Sequence, residues 1–237
     1  MIVQIYAFTD PDEARLAAQM GVDHIGFVAG DYGLVPGELS FAQSRALVEA
    51  LPQQAVSVAL TMATDVDEIV RMARFVRPQI VHISTDMEAV DLPKMKAIRA
   101  KLPEGIRLMK AVSVTDETSL EAAQYYARES DLLLLDTKSA EIAGIGVSGK
   151  THDWNISRRI VESTRIPVIL AGGLSAENVG EALRMVQPYG VDSNTHTNLA
   201  GELVSKDMNR IQLFVEAVRA AEKAMPPVPV RNGRRLS

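Results

Sequence analysis

Two hydrophobic patterns alternate along this chain from end to end. Short apolar runs rich in Val, Ile and Leu occupy 2–7, 23–28, 55–61, 79–83, 106–112, 131–135, 167–171 and 190–192. Runs of that length and composition predict strands. Between them lie amphipathic stretches at 12–20, 41–51, 65–76, 92–102, 117–129, 154–164, 176–186 and 206–225, which predict helices. Most follow an N-cap residue type: Asp10 (with Pro11 suited to a first turn), Ser40, Thr64, Asp116, Asp153, Ser175 and Ser205. The stretch at 92–102 is less clearly capped.

Regular strand–helix alternation calls for a parallel sheet with right-handed crossovers. Eight units in 237 residues favour a closed (β/α)8 barrel over an open doubly wound sheet. The barrel is expected to fill 1–225, with 226–237 as a flexible tail rich in Pro and Arg. Leu132 to Leu135 form an unbroken apolar run that ends on Asp136. Such a run reads as a strand buried on both faces. A carboxylate at its C-terminal end stands where barrels place catalytic groups.

Composition narrows the function classes. A formal charge of −5 argues against nucleic acid or anionic lipid as a partner. No stretch of about 18 apolar residues is present, so no membrane span is expected. The N-terminus lacks the basic and apolar regions of a signal peptide. With no cysteine there is no disulfide, thiolate metal site or cysteine nucleophile. The four histidines show no metal-ligand spacing. A cytoplasmic protein acting on a small molecule, with no metal or cofactor, is the expectation; the oligomeric state stays open.

Two strand-to-helix links are long, 29–39 and 137–152, and long loops in compact domains are usually functional. Ser148, Gly149 and Lys150 in the second are candidates to close over a substrate. Gly172-Gly173 stands between a strand and a helix, where exposed N–H groups suit a phosphate, or where a tight turn needs positive φ. Asn194, Thr195 and His196, at the next strand end, could complete that cradle. Lys110 is a weaker candidate, for Schiff-base chemistry.

LLLLDTKSAE, GVSGKTHDW, LAGGLSAENV, GVDSNTHTN and SKDMNRIQLF occur in that order. With them the chain resembles the phosphoribosylanthranilate isomerase family, whose LLDT, GGSGKTFDW, GGLxPENV and GVDVSSGVE strings fall in the same places. The likeness runs over 2–218 and includes GFV at 26–28 and KAV at 110–112. It implies a single TIM barrel of the ribulose-phosphate-binding type. It also implies an Amadori rearrangement, an aldose–ketose isomerisation of a phosphorylated N-glycosylamine in tryptophan biosynthesis. The resemblance makes Asp136 the general acid and assigns phosphate to Gly172, Gly173 and the altered strand-end turn Asn194-Thr195-His196.

Departures gather at the expected site. The family opens with KICG, whose cysteine is the base, whereas this chain has Gln4-Ile5-Tyr6-Ala7. An ordinary Tyr, with pKa near 10 against roughly 8.5 for Cys, is a poorer base by ~2 kcal/mol at neutral pH. Tyr6 is therefore a catalytic candidate only with a lowered pKa or as a proton donor, and otherwise an aromatic plug. The family's carboxylate-binding arginine has no counterpart in 30–40, where Asp31 and Glu38 would oppose a carboxylate. His82-Ile83-Ser84-Thr85 replaces the family's QLHG, and His82 reads as a core histidine. Two readings stand: an isomerase of a phosphorylated sugar or glycosylamine, and a non-catalytic or regulatory barrel that binds a phosphorylated metabolite.

Overall fold

The computed structural model describes residues 1–137 and 151–225. Ser148, Gly149, Lys150 and the tail 226–237 lie outside the described residues. The strands are β1 (Ile2–Ile5), β2 (His24–Ala29), β3 (Glu38–Leu39), β4 (Val56–Thr61), β5 (Ile80–Ile83), β6 (Arg107–Ser113), β7 (Leu132–Asp136), β8 (Val168–Leu170) and β9 (Gly190–Ser193). The helices are α1 (Pro11–Gln19), α2 (Phe41–Ala50), α3 (Val66–Val76), α4 (Leu92–Lys101), α5 (Thr118–Tyr126), α6 (Trp154–Ser163), α7 (Val179–Val186) and α8 (Met208–Ala224). Among the described residues, eight parallel strands close a ring in the order β1-β2-β4-β5-β6-β7-β8-β9, with β9 returning to β1. The two-residue β3 pairs only with the end of β2. The chain is a (β/α)8 barrel.

Strand alternation sorts the core into two layers. Leu133 and Leu135 of β7 pack outward with the helices, in one cluster with Ile160 of α6 and Ala123 of α5. Leu132 and Leu134 point inward and share the barrel interior with Val58, Ile80, Met109 and Ile169. The same parity carries Asp136 to the inner face at the C-terminal rim, in register with Ser113 of β6. On β1 and β9, Gln4 is paired with Asp192 and Ile5 with Ser193. Both Gln4 and Asp192 are buried.

Helix starts follow the local chemistry closely. Asp10, Ser40, Asp65, Asp91, Asp153 and Asp207 each accept backbone N–H groups of the first turn. The less clearly capped 92–102 is thus capped by Asp91, whose side chain accepts from the Lys94 N–H. Asp65, not the expected Thr64, caps α3, and three expected helix boundaries move by two residues or more. The stretch 176–186 becomes Val179–Val186, because the N–H of Val179 bonds to Ser175 O and closes a turn ahead of the helix. The stretch 117–129 shortens to Thr118–Tyr126. The stretch 206–225 begins at Met208, because Asp207 caps it and Lys206 is drawn into the interior.

Tyr6 enters the barrel lumen across β2. A Cβ built on Gly26 would lie 2.6 Å from the Tyr6 ring carbon Cγ, so the glycine is what leaves room for the aromatic ring. Gly26→Ala is therefore expected to destabilise the fold by about 1–3 kcal/mol. Adding Tyr6→Ala should remove most of that penalty. Urea midpoints of the two single variants and the double variant check this coupling; strict additivity would contradict it.

Candidate active site

The C-terminal rim brings together two sets of residues that lie far apart in the chain. One pocket is lined by Asp136, Gly172, Gly173, Leu174, Asp192, Ser193, Asn194, Thr195 and His196. Asp136, both glycines and the Asn194–His196 turn thus meet in one place. Asp192, which the sequence reading placed only at the end of the 190–192 strand, joins them.

Gly172 and Gly173 have φ of +86° and +61°, which favours glycine at both positions. At Gly172 there is also no space. A Cβ would lie 2.8 Å from Thr137 Oγ1, 2.9 Å from His152 Nδ1 and 3.3 Å from Asp136 Oδ1. The acidic strand end and the glycine turn are therefore packed against each other. The turn's carbonyls are taken: Asn178 Nδ2 donates to Gly173 O at 2.9 Å, and Ser193 Oγ to Leu174 O at 2.7 Å. The N–H groups of Gly172 and Gly173 meet no acceptor among the described residues. Unused donors at the turn are what an anion needs.

Asp136 is almost fully buried, and its Oδ1 accepts the Thr137 N–H at 2.7 Å. Burial dominates and raises its pKa to about 7, the Thr137 bond opposing. Asp192 is raised to about 8, first by burial and then by the nearby Asp136 charge. Gln4 Nε2 donates to Asp192 Oδ1 at 3.1 Å, and Lys206 stabilises its ionised form. Gln4 is held in turn by His24, whose Nδ1 lies 3.0 Å from Gln4 Oε1. Burial keeps His24 neutral, with its pKa lowered to about 3. An amide oxygen only accepts, so His24 carries its proton on Nδ1 and the chain of donors runs His24 to Gln4 to Asp192.

Tyr6 and His82 form a second buried pair, Tyr6 Oη to His82 Nδ1 at 2.8 Å. Burial, with the Asp192 charge adding to it, raises the Tyr6 pKa well above the ordinary phenol value. The lowered pKa that a tyrosine base requires is not provided, so the surroundings favour the neutral aromatic plug. His82 differs from a fully satisfied core histidine, because its Nε2 has no partner among the described residues. Its pKa is lowered to about 3, mainly by burial and further by Lys110.

Lys110 lies on the other face of β6 from Met109 and Ala111, which point into the lumen. Its Nζ donates to the carbonyls of Thr85 (2.6 Å) and Ala111 (3.0 Å) and stands 5.3 Å from the Tyr126 ring centroid. It lines the helix layer, which removes the Schiff-base reading. Glu38 is also redirected. Its carboxylate accepts the N–H groups of Tyr32, Gly33, Leu34 and Val35 at 2.6–2.9 Å, so it organises its own loop. Sequence reasoning missed Lys206, whose Nζ donates to Tyr6 O, to Asn198 Oδ1 at 2.5 Å and to Asn194 Oδ1 at 3.1 Å. Burial lowers its pKa to about 7, with Asp192 and Glu13 opposing. Only the KD string in the family likeness pointed towards it.

Parallel closure, a buried acid on the working rim and a glycine turn packed against it define a (β/α)8-barrel enzyme. The family model for N-(5'-phosphoribosyl)anthranilate (PRA) isomerase matches residues 5–217. An N-(5'-phosphoribosyl)anthranilate isomerase from Methanocella arvoryzae is 36% identical over 220 residues, covering 93% of this chain and 99% of the relative. The crystal structure of the Thermotoga maritima enzyme superposes with a TM-score of 0.75 at 26% identity, covering 93% of this chain and 100% of that one. A phosphoribosyl anthranilate isomerase in complex with reduced 1-(o-carboxyphenylamino)-1-deoxyribulose 5-phosphate shares the fold, with a TM-score of 0.73 at 24% identity and coverage of 93% and 100%. The chain belongs to the N-(5'-phosphoribosyl)anthranilate isomerase family.

A carboxyl whose pKa is raised on folding contributes stability at low pH that is lost as pH climbs from the unfolded value, near 3.9, through the folded one. For Asp136 that window runs up to about 7. Asp136→Asn should therefore match the wild type in stability near pH 4. It should melt higher above pH 7, by roughly 2–4 °C for each kcal/mol relieved. Thermal melts of both proteins at pH 4.5 and 8.5 check the sign.

Proposed function

We propose that this chain catalyses the Amadori rearrangement of N-(5'-phosphoribosyl)anthranilate, the isomerisation step of tryptophan biosynthesis, in the cytoplasm. The observation that carries this reading is the packing of Asp136 against the Gly172-Gly173 turn within one pocket. Asp136, with its pKa near neutrality, suits a general acid that protonates the furanose ring oxygen and opens the ring. The unused N–H groups of Gly172 and Gly173, together with the Asn194-Thr195-His196 turn, take the substrate phosphate. Ser148, Gly149 and Lys150, which follow Asp136 in sequence, are the residues proposed to contact the rest of the substrate.

Tyr6 has a different part in this reading. Its ring fills the lumen beside Gly26 and its hydroxyl meets His82, so it serves as an aromatic plug. Residues 30–37 supply no Arg or Lys to the anthranilate carboxylate, which leaves the phosphate end to carry binding. No helix among the described residues is long and apolar enough to cross a membrane, in keeping with a small-molecule substrate handled in water.

Purified wild-type chain should convert N-(5'-phosphoribosyl)anthranilate, followed by loss of its fluorescence, and should restore growth to a tryptophan auxotroph lacking the isomerase. Asp136→Asn should lower kcat/KM by about 10²–10⁴-fold, the usual contribution of general acid catalysis. A wild type that binds the product analogue but never turns over the substrate would favour a non-catalytic phosphometabolite-binding barrel.

A further inference from the structure

The family likeness leaves the reaction without its usual base, and the structure leaves Tyr6 unsuited to replace it. Besides Asp136, the titratable side chains among the described residues that line the pocket are Asp192 and His196. His196 is exposed at the outer edge of the turn, whereas Asp192 is buried on β9. Asp192 is also oriented. Gln4, fixed by His24, holds its Oδ1, and its Oδ2 has no hydrogen bond among the described residues. We propose that Asp192 is the general base of this chain, working with Asp136 as a carboxyl pair that shares one proton across the pocket. This inference rests on the isomerase reading above.

The proton balance closes without another group. Protonated Asp136 gives its proton to the ring oxygen as the C1–O bond breaks and the nitrogen lone pair forms the C1=N bond. Ionised Asp192 takes the C2 proton, and the electrons of that C–H bond form C1=C2, giving the neutral enolamine. Asp192 then returns the proton to C1 while Asp136 accepts the proton of the C2 hydroxyl as the ketone forms. Both carboxyls end as they began. Each step needs one of the pair protonated and the other ionised, an arrangement that mutual repulsion enforces when two acids lie close in a buried site.

The charged surroundings of Asp192 pull in both directions. Asp136 faces Asp192 from β7, Lys206 approaches from the segment before α8, and the neutral Tyr6 phenol lies on the β1 side. His196 belongs to the turn that follows β9, and Glu13 of α1 acts on Lys206. Lys206 and the Gln4 amide both favour the ionised form of Asp192. Burial and the Asp136 charge keep it a far stronger base than an exposed carboxylate.

The test uses the full chain and N-(5'-phosphoribosyl)anthranilate, with reduced 1-(o-carboxyphenylamino)-1-deoxyribulose 5-phosphate as the binding probe. Asp192→Asn should lower kcat at least about 10²-fold while probe affinity stays within about threefold and the melting temperature does not fall. The wild-type pH–rate profile should be bell-shaped, and Asp192→Asn should lose the acid limb, where protonation silences the base. Adding Tyr6→Cys to Asp192→Asn should recover activity at least about tenfold, by supplying a base from the neighbouring strand. If Asp192→Asn keeps its kcat within about threefold, or loses probe binding instead, the base assignment is overturned and the isomerase reading stands. A wild type that binds the probe without turnover overturns the isomerase reading, and the base assignment with it.

Discussion

The alternation of side chains along a closed parallel barrel is the constraint on which the site depends. With a period of two, every second residue of a strand must face a lumen too narrow for water-filled space, and the others must face the helices. Leu132 and Leu134 satisfy the first demand in β7, Leu133 and Leu135 the second. Asp136 then inherits the inward direction at the point where the lumen opens. A shift of one residue in this strand would bury the carboxylate beneath α6 and leave the rim without an acid. The four leucines therefore do more than fill space, since they set the register that aims the carboxylate.

The same geometry explains why an interior made mostly of aliphatic side chains tolerates so many polar groups. Gln4, His24, His82, Asp192 and Tyr6 are all buried, and an unpaired polar group there would cost about 1–3 kcal/mol. Most are paired across neighbouring strands: His24 with Gln4, Gln4 with Asp192, Tyr6 with His82. Parallel pairing of β1 with both β2 and β9 places Gln4 level with His24 on one side and Asp192 on the other. A buried network of this kind fixes orientation as well as satisfying donors. The remaining orphan is His82 Nε2, on the ring whose Nδ1 meets Tyr6 Oη.

Much of this was legible in the sequence, and the divide follows the range of the interactions. Strand and helix order, the barrel and the position of Asp136 rest on local patterning and were read correctly. Gly172 was legible as a turn glycine, because positive φ is a local demand. What could not be read were residues whose roles arise from closure. Lys206 looks like the first turn of a helix that follows a serine, yet Asp207 caps α8 and the lysine turns back towards the Tyr6 carbonyl. Asp192 looks like one polar residue among several at a strand end, and only the return of β9 to β1 brings it beside Gln4. Glu38 read as a repulsive charge because a sequence does not show that four backbone N–H groups of its own loop converge on it.

The substitution at position 6 shows how a family site can change its chemistry without losing its frame. A residue as large as tyrosine fits at the start of the barrel only because β2 offers Gly26 beneath the ring and β5 offers His82 to its hydroxyl. Once seated, the phenol is shielded from water and held in the field of Asp192, and both effects oppose ionisation. A neutral phenol therefore stands where the family likeness leads one to expect an ionisable thiol. Burial raises the proton affinity of both Asp136 and Asp192 and strengthens the coupling between them. With the phenol kept neutral, the base proposed for this chain is one of those two carboxylates.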